Sequence, residues 1–274
     1  MTSDRPRPPS TELATPLNCI GVFDSGVGGL SVLRALRQRL PAAWLVYVGD
    51  VAHAPYGERP AAAVLQRCMR ITAYLAARGA RMVVVACNTA TVLCIQHLRE
   101  VWPALTFVGV EPGVKPAAAG SRTGRIAVMA TPATCASPRL RQLIDLHAST
   151  LHVHVQACPG LADLIERGVL GGESLLAVLR PCCDAVRAAD VDTVVLGCTH
   201  YPFVAGPIRS LLGERIALLD TAVAVTERVA SLWPHAPGEP PTVHVLSTGS
   251  PAAMRGLLSQ CPGLASVEVE SLTL

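Results

Sequence analysis

Lysine is nearly absent from this sequence: its 23 basic residues are 22 arginines and the single Lys115. A pyridoxal phosphate enzyme needs a lysine for its Schiff base, so that whole mechanism would rest on one residue. Lys115 lies between Pro112 and Pro116 and reads as part of a loop, which argues against that cofactor. Basic runs are lacking as well. With a formal net charge of +3 and arginines scattered along the chain, nucleic-acid binding is not indicated. The ten cysteines include no C-x-x-C spacing, and the neighbours Cys182 and Cys183 would diverge on a helix, so a bound metal is not expected. His152 and His154 share a strand face at i, i+2 and could chelate in principle, against a half-exposed edge position as the ordinary reading. No secretory apolar segment occurs, and 274 residues can bury a core without disulfide staples. These absences point to free thiols in a reducing cytoplasm, with no membrane attachment. Aromatic residues make up only 4% of a chain that is half hydrophobic. That balance suits Val/Ala/Leu-rich strands alternating with helices better than an aromatic-filled β-sandwich.

What is present is an alternation. Strand-like runs at 19–23, 44–48, 82–86, 105–110, 126–130, 151–156, 193–197, 216–219 and 242–246 are separated by helical patterns at 29–40, 60–78, 89–100, 136–147, 174–188, 204–213, 222–232 and 251–260. This is the βαβ signature of mainly parallel sheets covered on both faces. Residues 1–17, rich in proline and polar groups, read as a disordered tail. The pattern breaks at Glu111-Pro112-Gly113-Val114-Lys115-Pro116, with a second crossing expected near Leu219-Asp220-Thr221. The expected organisation is a first α/β domain of residues 18–112 plus 221–274, with a second α/β domain, 113–220, inserted into it.

Two stretches repeat one design: V-V-V-A-C-N-T at 83–89 and V-V-L-G-C-T-H at 194–200. Each is a buried-strand run, a small residue, a cysteine and then hydrogen-bonding side chains. Cys87 and Cys198 therefore fall at strand carboxyl ends, where open α/β sheets place their ligands. A lone cysteine on an apolar strand is ordinarily core filler; two in matched contexts suggest thiols on opposite sides of one small molecule, one removing a proton and the other delivering one. A free thiol is mostly protonated at neutral pH. His200 is the natural tuner of Cys198, and Asp24 of Cys87. The first strand runs into Asp24-Ser25-Gly26-Val27-Gly28-Gly29-Leu30, whose glycines would let backbone N–H groups approach a phosphate or a carboxylate. The dinucleotide fingerprint is not met, since Ser31 stands where its third glycine would be, and there is no Walker lysine. A carboxylate is the better fit, with a helix cap as the plainer role for Asp24. Gly49-Asp50 and the turn Pro55-Tyr56-Gly57 follow another strand's carboxyl end. Glu166 reads by default as a solvated helix residue and Cys158 as structural.

The motifs F-D-S-G-V-G-G-L-S-V-L (23–33), G-D followed by P-Y-G (49–57), A-C-N-T-A-T (86–91), E-P-G-V-K-P (111–116) and L-G-C-T-H-Y-P (196–202) together closely resemble the bacterial glutamate racemases. These belong to the cofactor-independent aspartate/glutamate racemase superfamily, and the match runs along the chain from about residue 20. The resemblance implies two similar doubly wound, mainly parallel-sheet domains with the active site at their interface. It further implies that L- and D-glutamate are interconverted without a cofactor, providing D-glutamate for peptidoglycan. By the same resemblance Cys87 acts on the D-enantiomer and Cys198 on the L-enantiomer, with Asp24, Asp50, Glu166 and His200 as supporting acid-base residues. Substrate contacts would come from Asp24, Ser25, Tyr56, Gly57, Asn88, Thr89, Thr199 and His200, and from the hydroxyls of Thr131 and Thr134. The stretch 157–168 departs most from the family pattern, because Gly160-Leu161-Ala162 replaces bulkier residues; this bears on Glu166. A homodimer and an interaction with DNA gyrase, which some family members have, are further expectations. The alternatives are a relative acting on aspartate or another small acid, and a thiol redox protein using the same two cysteines.

Overall fold

A computed structural model describes residues 18–234 and 242–274; the Pro-rich stretch 1–17 read as a tail lies outside them. The strands are β1 (Cys19–Asp24), β2 (Leu45–Gly49), β3 (Ala80–Val85), β4 (Thr106–Gly109), β5 (Arg125–Ala130), β6 (His152–Ala157), β7 (Thr193–Leu196), β8 (Ala217–Asp220), β9 (Val243–Ser247) and β10 (Val269–Ser271). Between them run α1 (Leu30–Arg39), α2 (Ala61–Ala77), α3 (Asn88–Val101), α4 (Val114–Gly120), α5 (Pro132–Cys135), α6 (Pro138–His147), α7 (Leu161–Glu166), α8 (Glu173–Ala188), α9 (Ala205–Leu212), α10 (Ala222–Leu232) and α11 (Ala252–Leu258).

The strands form two sheets, ordered β10-β9-β2-β1-β3-β4 and β6-β5-β7-β8, and every pairing is parallel. Parallel strands need crossover helices on both faces, so their side chains are buried on both sides. In β3, Met82 and Val84 face one core cluster while Val83 and Val85 face the other. In β7, Val194 and Leu196 likewise oppose Val195. Each such buried Val or Leu stabilises the fold by about 1.5–3 kcal/mol. The first sheet steps from β1 to β2 on one side and then to β3 on the other, so its topological switch lies between β1 and β3. The second sheet reverses in the same way between β5 and β7. Crevices open beyond the strand carboxyl ends at such reversals; Asp24 ends β1, and the segments after β1, β3, β5 and β7 carry Ser25, Cys87, Thr131 and Cys198.

Three short helices and one strand depart from the periodicity reading. Lys115 is not in a loop: it lies in α4, because Pro116 at the third helical position needs no intrahelical N–H partner. α5 and α7 are too short, at 4 and 6 residues, to display a period. β10 is three residues at the sheet edge. All ten cysteines are free. Cys182 and Cys183 lie on the buried face of α8, and Cys158 joins the same cluster. His154 bonds Gln156 at 3.2 Å on edge strand β6, while His152 is exposed.

Candidate active site

The first thiol caps a helix. Cys87 follows β3 and is the N-cap of α3, where its Sγ accepts from the Ala90 N–H at 3.4 Å and lies 3.8 Å from Ser25 Oγ. Burial pushes this thiol well above its ordinary range, and the nearby Asp24 carboxylate and Cys198 add to the effect. It rests as a thiol.

The second thiol opens a relay. Gly197 extends the β7 ladder by donating to Met129 O at 2.8 Å, and the next residue, Cys198, places Sγ 3.5 Å from His200 Nδ1. On the far side of the ring, Nε2 is 2.5 Å from Glu166 Oε1. That same carboxylate oxygen accepts the Val27 N–H at 2.8 Å. Burial opposes a charge on His200, but Cys198 and Glu166 outweigh it and hold the ring well above its ordinary range. The imidazole is therefore held protonated, with Nδ1 facing the Cys198 sulfur.

The glycine-rich turn after β1 does meet a carboxylate, and it is the protein's own. A Cβ on Gly26 would lie 1.8 Å from Glu166 Oε1, and one on Gly28 would lie 2.5 Å from His200 Nδ1. Only glycine lets the second sheet's relay approach the first sheet's backbone this closely. Glu166 is buried, not solvated, because α7 turns it inward onto that turn. Asp24 does not cap α1, whose cap is Gly29. Instead its Oδ1 accepts the Gly26 N–H at 2.9 Å and its Oδ2 accepts the Thr199 hydroxyl at 3.0 Å across the crevice. Burial raises the Asp24 carboxyl, only partly offset by His200 and its donors. The polar atoms of Asp24, Glu166 and His200 lie within 4.8 Å of one another, as one proton-bearing cluster.

Around the thiols sit polar groups from both sheets. Thr89 Oγ1 is 3.0 Å from Thr131 Oγ1, which is 3.1 Å from Thr134 Oγ1. Asn88, buried beside Cys87, has neither its side-chain oxygen nor its nitrogen paired. Tyr56 is fully buried, and a Cβ on Gly57 would come 2.7 Å from Thr131. Asp50 sits farther back. It accepts from Tyr56 OH at 2.6 Å, Thr248 Oγ1 at 2.7 Å and the Arg67 guanidinium at 2.8 and 2.9 Å. Burial pushes its carboxyl up, but these donors more than offset that and hold it below the ordinary range.

Four participants escaped the sequence reading: Arg67, Thr248, Tyr47 and Ser31. Arg67 had a visible signal, as a charged residue on the otherwise apolar stripe Val64, Cys68, Ile71 of α2. Ser31, notable only as the residue that breaks a dinucleotide fingerprint, reaches Thr199 O at 3.3 Å across the crevice.

The profile of the Asp/Glu/Hydantoin racemase family matches residues 20–229, and the chain belongs to that family of racemases, which are isomerases. Within it, the chain is 46% identical to a glutamate racemase of Pseudomonas paraeruginosa over 89% of each chain. It is 47% identical to one from Pseudomonas aeruginosa strain PAO1, over 80% of this chain and 84% of that one. Its fold matches the crystal structure of Escherichia coli glutamate racemase in complex with L-glutamate and the activator UDP-MurNAc-ala. The TM-score is 0.80 at 30% identity, over 94% of this chain and 99% of that one. Among the described residues no helix is long and apolar enough to cross a membrane.

Proposed function

We propose that this chain is a glutamate racemase in which Cys198 and Cys87 work as a base and acid pair on opposite faces of the substrate. The observation that carries the reading is the pair of buried thiols at matching switch points of two sheets, one beside a protonated imidazole and the other in a neutral setting. In the L-to-D direction, the Cys198 thiolate takes the α-proton and the Cys87 thiol protonates the other face. The product leaves with Cys198 as thiol and Cys87 as thiolate, which is the form ready for D-glutamate. The carbanion places extra charge on the α-carboxylate, where Ser25, Asn88 and Thr199 supply donors. The Thr89, Thr131 and Thr134 hydroxyls and the Tyr56-Gly57 turn complete the substrate contacts. Protein side chains provide every proton, so no cofactor is required.

In this reading His200, Glu166 and Asp24 carry the acid-base tuning. Asp50, with its oxygens engaged by Arg67, Tyr56 and Thr248, acts by holding Tyr56 in place. Residues 18–112 plus 221–274 form one domain and 113–220 the other. The enzyme works in the cytoplasm and provides D-glutamate for peptidoglycan. A homodimer and a DNA gyrase interaction extend the proposal; sedimentation checks the first, and supercoiling assays with a double cysteine variant check the second apart from catalysis.

The test is incubation of the purified protein with L-glutamate in deuterated water. Deuterium at Cα of D-glutamate is the expected result. Turnover of aspartate alone, or a reversible Cys87–Cys198 disulfide that replaces racemisation, would overturn the reading.

A further inference from the structure

Tyr47 lies outside the thiol relay yet is fully buried among its charged groups. It is the one aromatic residue of β2, in the run Leu45-Val46-Tyr47-Val48-Gly49. Its hydroxyl donates to the Gly26 carbonyl at 2.6 Å. A Cβ on Gly29 would come 2.9 Å from the Tyr47 phenol oxygen, which therefore packs against the other end of the turn. One hydroxyl thus spans both ends of the turn 26–29. The turn has no other side-chain brace at Gly29, which starts α1 without a side-chain cap. Val27 sits in the middle of this turn, and its N–H is the donor that fixes Glu166 at 2.8 Å.

We infer that Tyr47 is a positioning residue for the Cys198 half of the reaction, holding the glycine turn so that the Val27 N–H anchors Glu166, which orients His200 against the Cys198 sulfur. The chain of contacts is continuous, from Tyr47 OH to the Gly26 carbonyl, and from the Val27 N–H through Glu166 Oε1 to His200 Nε2, with Nδ1 facing Cys198. Burial, followed by the neighbouring Asp24, Glu166 and Cys87 charges, holds the Tyr47 phenol well above its ordinary range, so it stays a donor throughout turnover. Removing the hydroxyl leaves the Gly26 carbonyl buried without its partner and frees the turn to shift. Glu166 then loses a charge-stabilising N–H. The carboxylate is then free to turn away from His200 Nε2, and the imidazole loses the contact that aims Nδ1 at the Cys198 sulfur.

The experiment is site-resolved alkylation with iodoacetamide across a pH series, read by mass spectrometry at Cys198 and Cys87 separately, on wild type and Tyr47→Phe. The titratable groups facing Cys198 are His200, Tyr201 and Cys87, with Glu166 behind the ring and Asp24 across the crevice. Tyr47→Phe should raise the apparent pKa of Cys198 by about one pH unit, leave Cys87 within a few tenths, and lower kcat about tenfold. The Cys198 shift should vanish when Tyr47→Phe is made in a Glu166→Gln background, since the two changes then act on one path. An unmoved Cys198, an equal movement of both thiols, or additive effects in the double variant would overturn the inference. Should Tyr47→Phe fail to fold, Tyr47→Met carries the same test: it also removes the hydroxyl while filling the space with a more adaptable side chain, and the same selective rise of Cys198 is expected. The inference rests on the two-thiol reading, and the two fail differently. Racemisation surviving in Cys198→Ala would sink that reading, whereas an unshifted Cys198 in Tyr47→Phe sinks only the role of Tyr47.

Discussion

The Cys87 and Cys198 sides of the crevice share a strand-end design and differ in everything beyond the sulfur. Cys198 faces an imidazole backed by a buried carboxylate, a relay that crosses from the second sheet to a backbone N–H of the first. Cys87 bonds no imidazole among the described residues. It has a helix N-terminal N–H, the Ser25 hydroxyl and an Asp24 carboxyl that burial has raised. A racemase must hold one base and one acid at once, and two identical thiol settings would favour neither arrangement. The asymmetry sets a protonated imidazole beside Cys198 and leaves Cys87 a neutral thiol. Glycine is what lets the relay exist, because Gly26 and Gly28 leave the space that Glu166 and His200 occupy.

The severest break removes either sulfur. Cys87→Ala and Cys198→Ala should each lower racemisation in both directions by about a thousandfold or more, since every turnover uses both groups. Polarimetric or deuterium-exchange assays in both directions check this, and appreciable turnover by either variant would remove the two-thiol mechanism.

Next comes the scaffold behind Tyr56, in which Asp50, Arg67 and Thr248 all come from the first sheet and its helices. Arg67→Leu leaves the buried Asp50 carboxylate without its main counter-charge and should destabilise the fold by about 3–5 kcal/mol at neutral pH. The pH dependence has a definite sign. A carboxyl held below its ordinary value contributes its stability fully above the unfolded pKa of about 3.9, and that stability is lost as pH falls through the folded value. The gap in urea midpoint between wild type and variant should therefore narrow as the pH drops below about 4. A gap independent of pH would show that Arg67 acts through packing and not through Asp50.

A sharper comparison comes from the tuning residues. His200→Asn should lower kcat about 10- to 100-fold, more for L-glutamate, with a larger primary isotope effect in that direction. Asp24→Asn should do the reverse. The equilibrium constant between enantiomers is one, so kcat/KM must fall equally in both directions and the asymmetry can appear only in kcat and KM separately. Equal kcat losses in both directions, for both variants, would show that these residues place the substrate and do not each serve one thiol.

The smallest effect is expected at Lys115, exposed on α4. Lys115→Arg should leave activity within about twofold, as surface substitutions commonly do. Enzyme treated with a chelator and hydroxylamine should also keep its activity. Restoration only by added pyridoxal phosphate or a metal would mean that the reaction is not carried by thiols alone.

The alternation of strands and helices was legible in the sequence because parallel strands buried on both faces are continuous apolar runs with a period distinct from the helices between them. The repeat around Cys87 and Cys198 was legible for the same reason: a strand's end is marked by where its run stops. Short pieces were not legible, since the four residues of α5, the six of α7 and the three of β10 are shorter than the period that would announce them. Glu166 shows the limit most clearly. By its own sequence it is a solvated helix residue, and its burial depends on Val27, 139 positions away, offering an N–H through a gap that two glycines leave open. Arg67 on Asp50, Thr248 on Asp50, Ser31 on Thr199 and Tyr47 on the glycine turn are of the same kind. Local sequence fixes which atoms a segment can offer, through propensity and pattern. Which partner meets them is decided by the packing of two sheets against each other, because hydrogen bonds and charge effects depend on distances of a few ångströms between residues that the chain itself holds far apart.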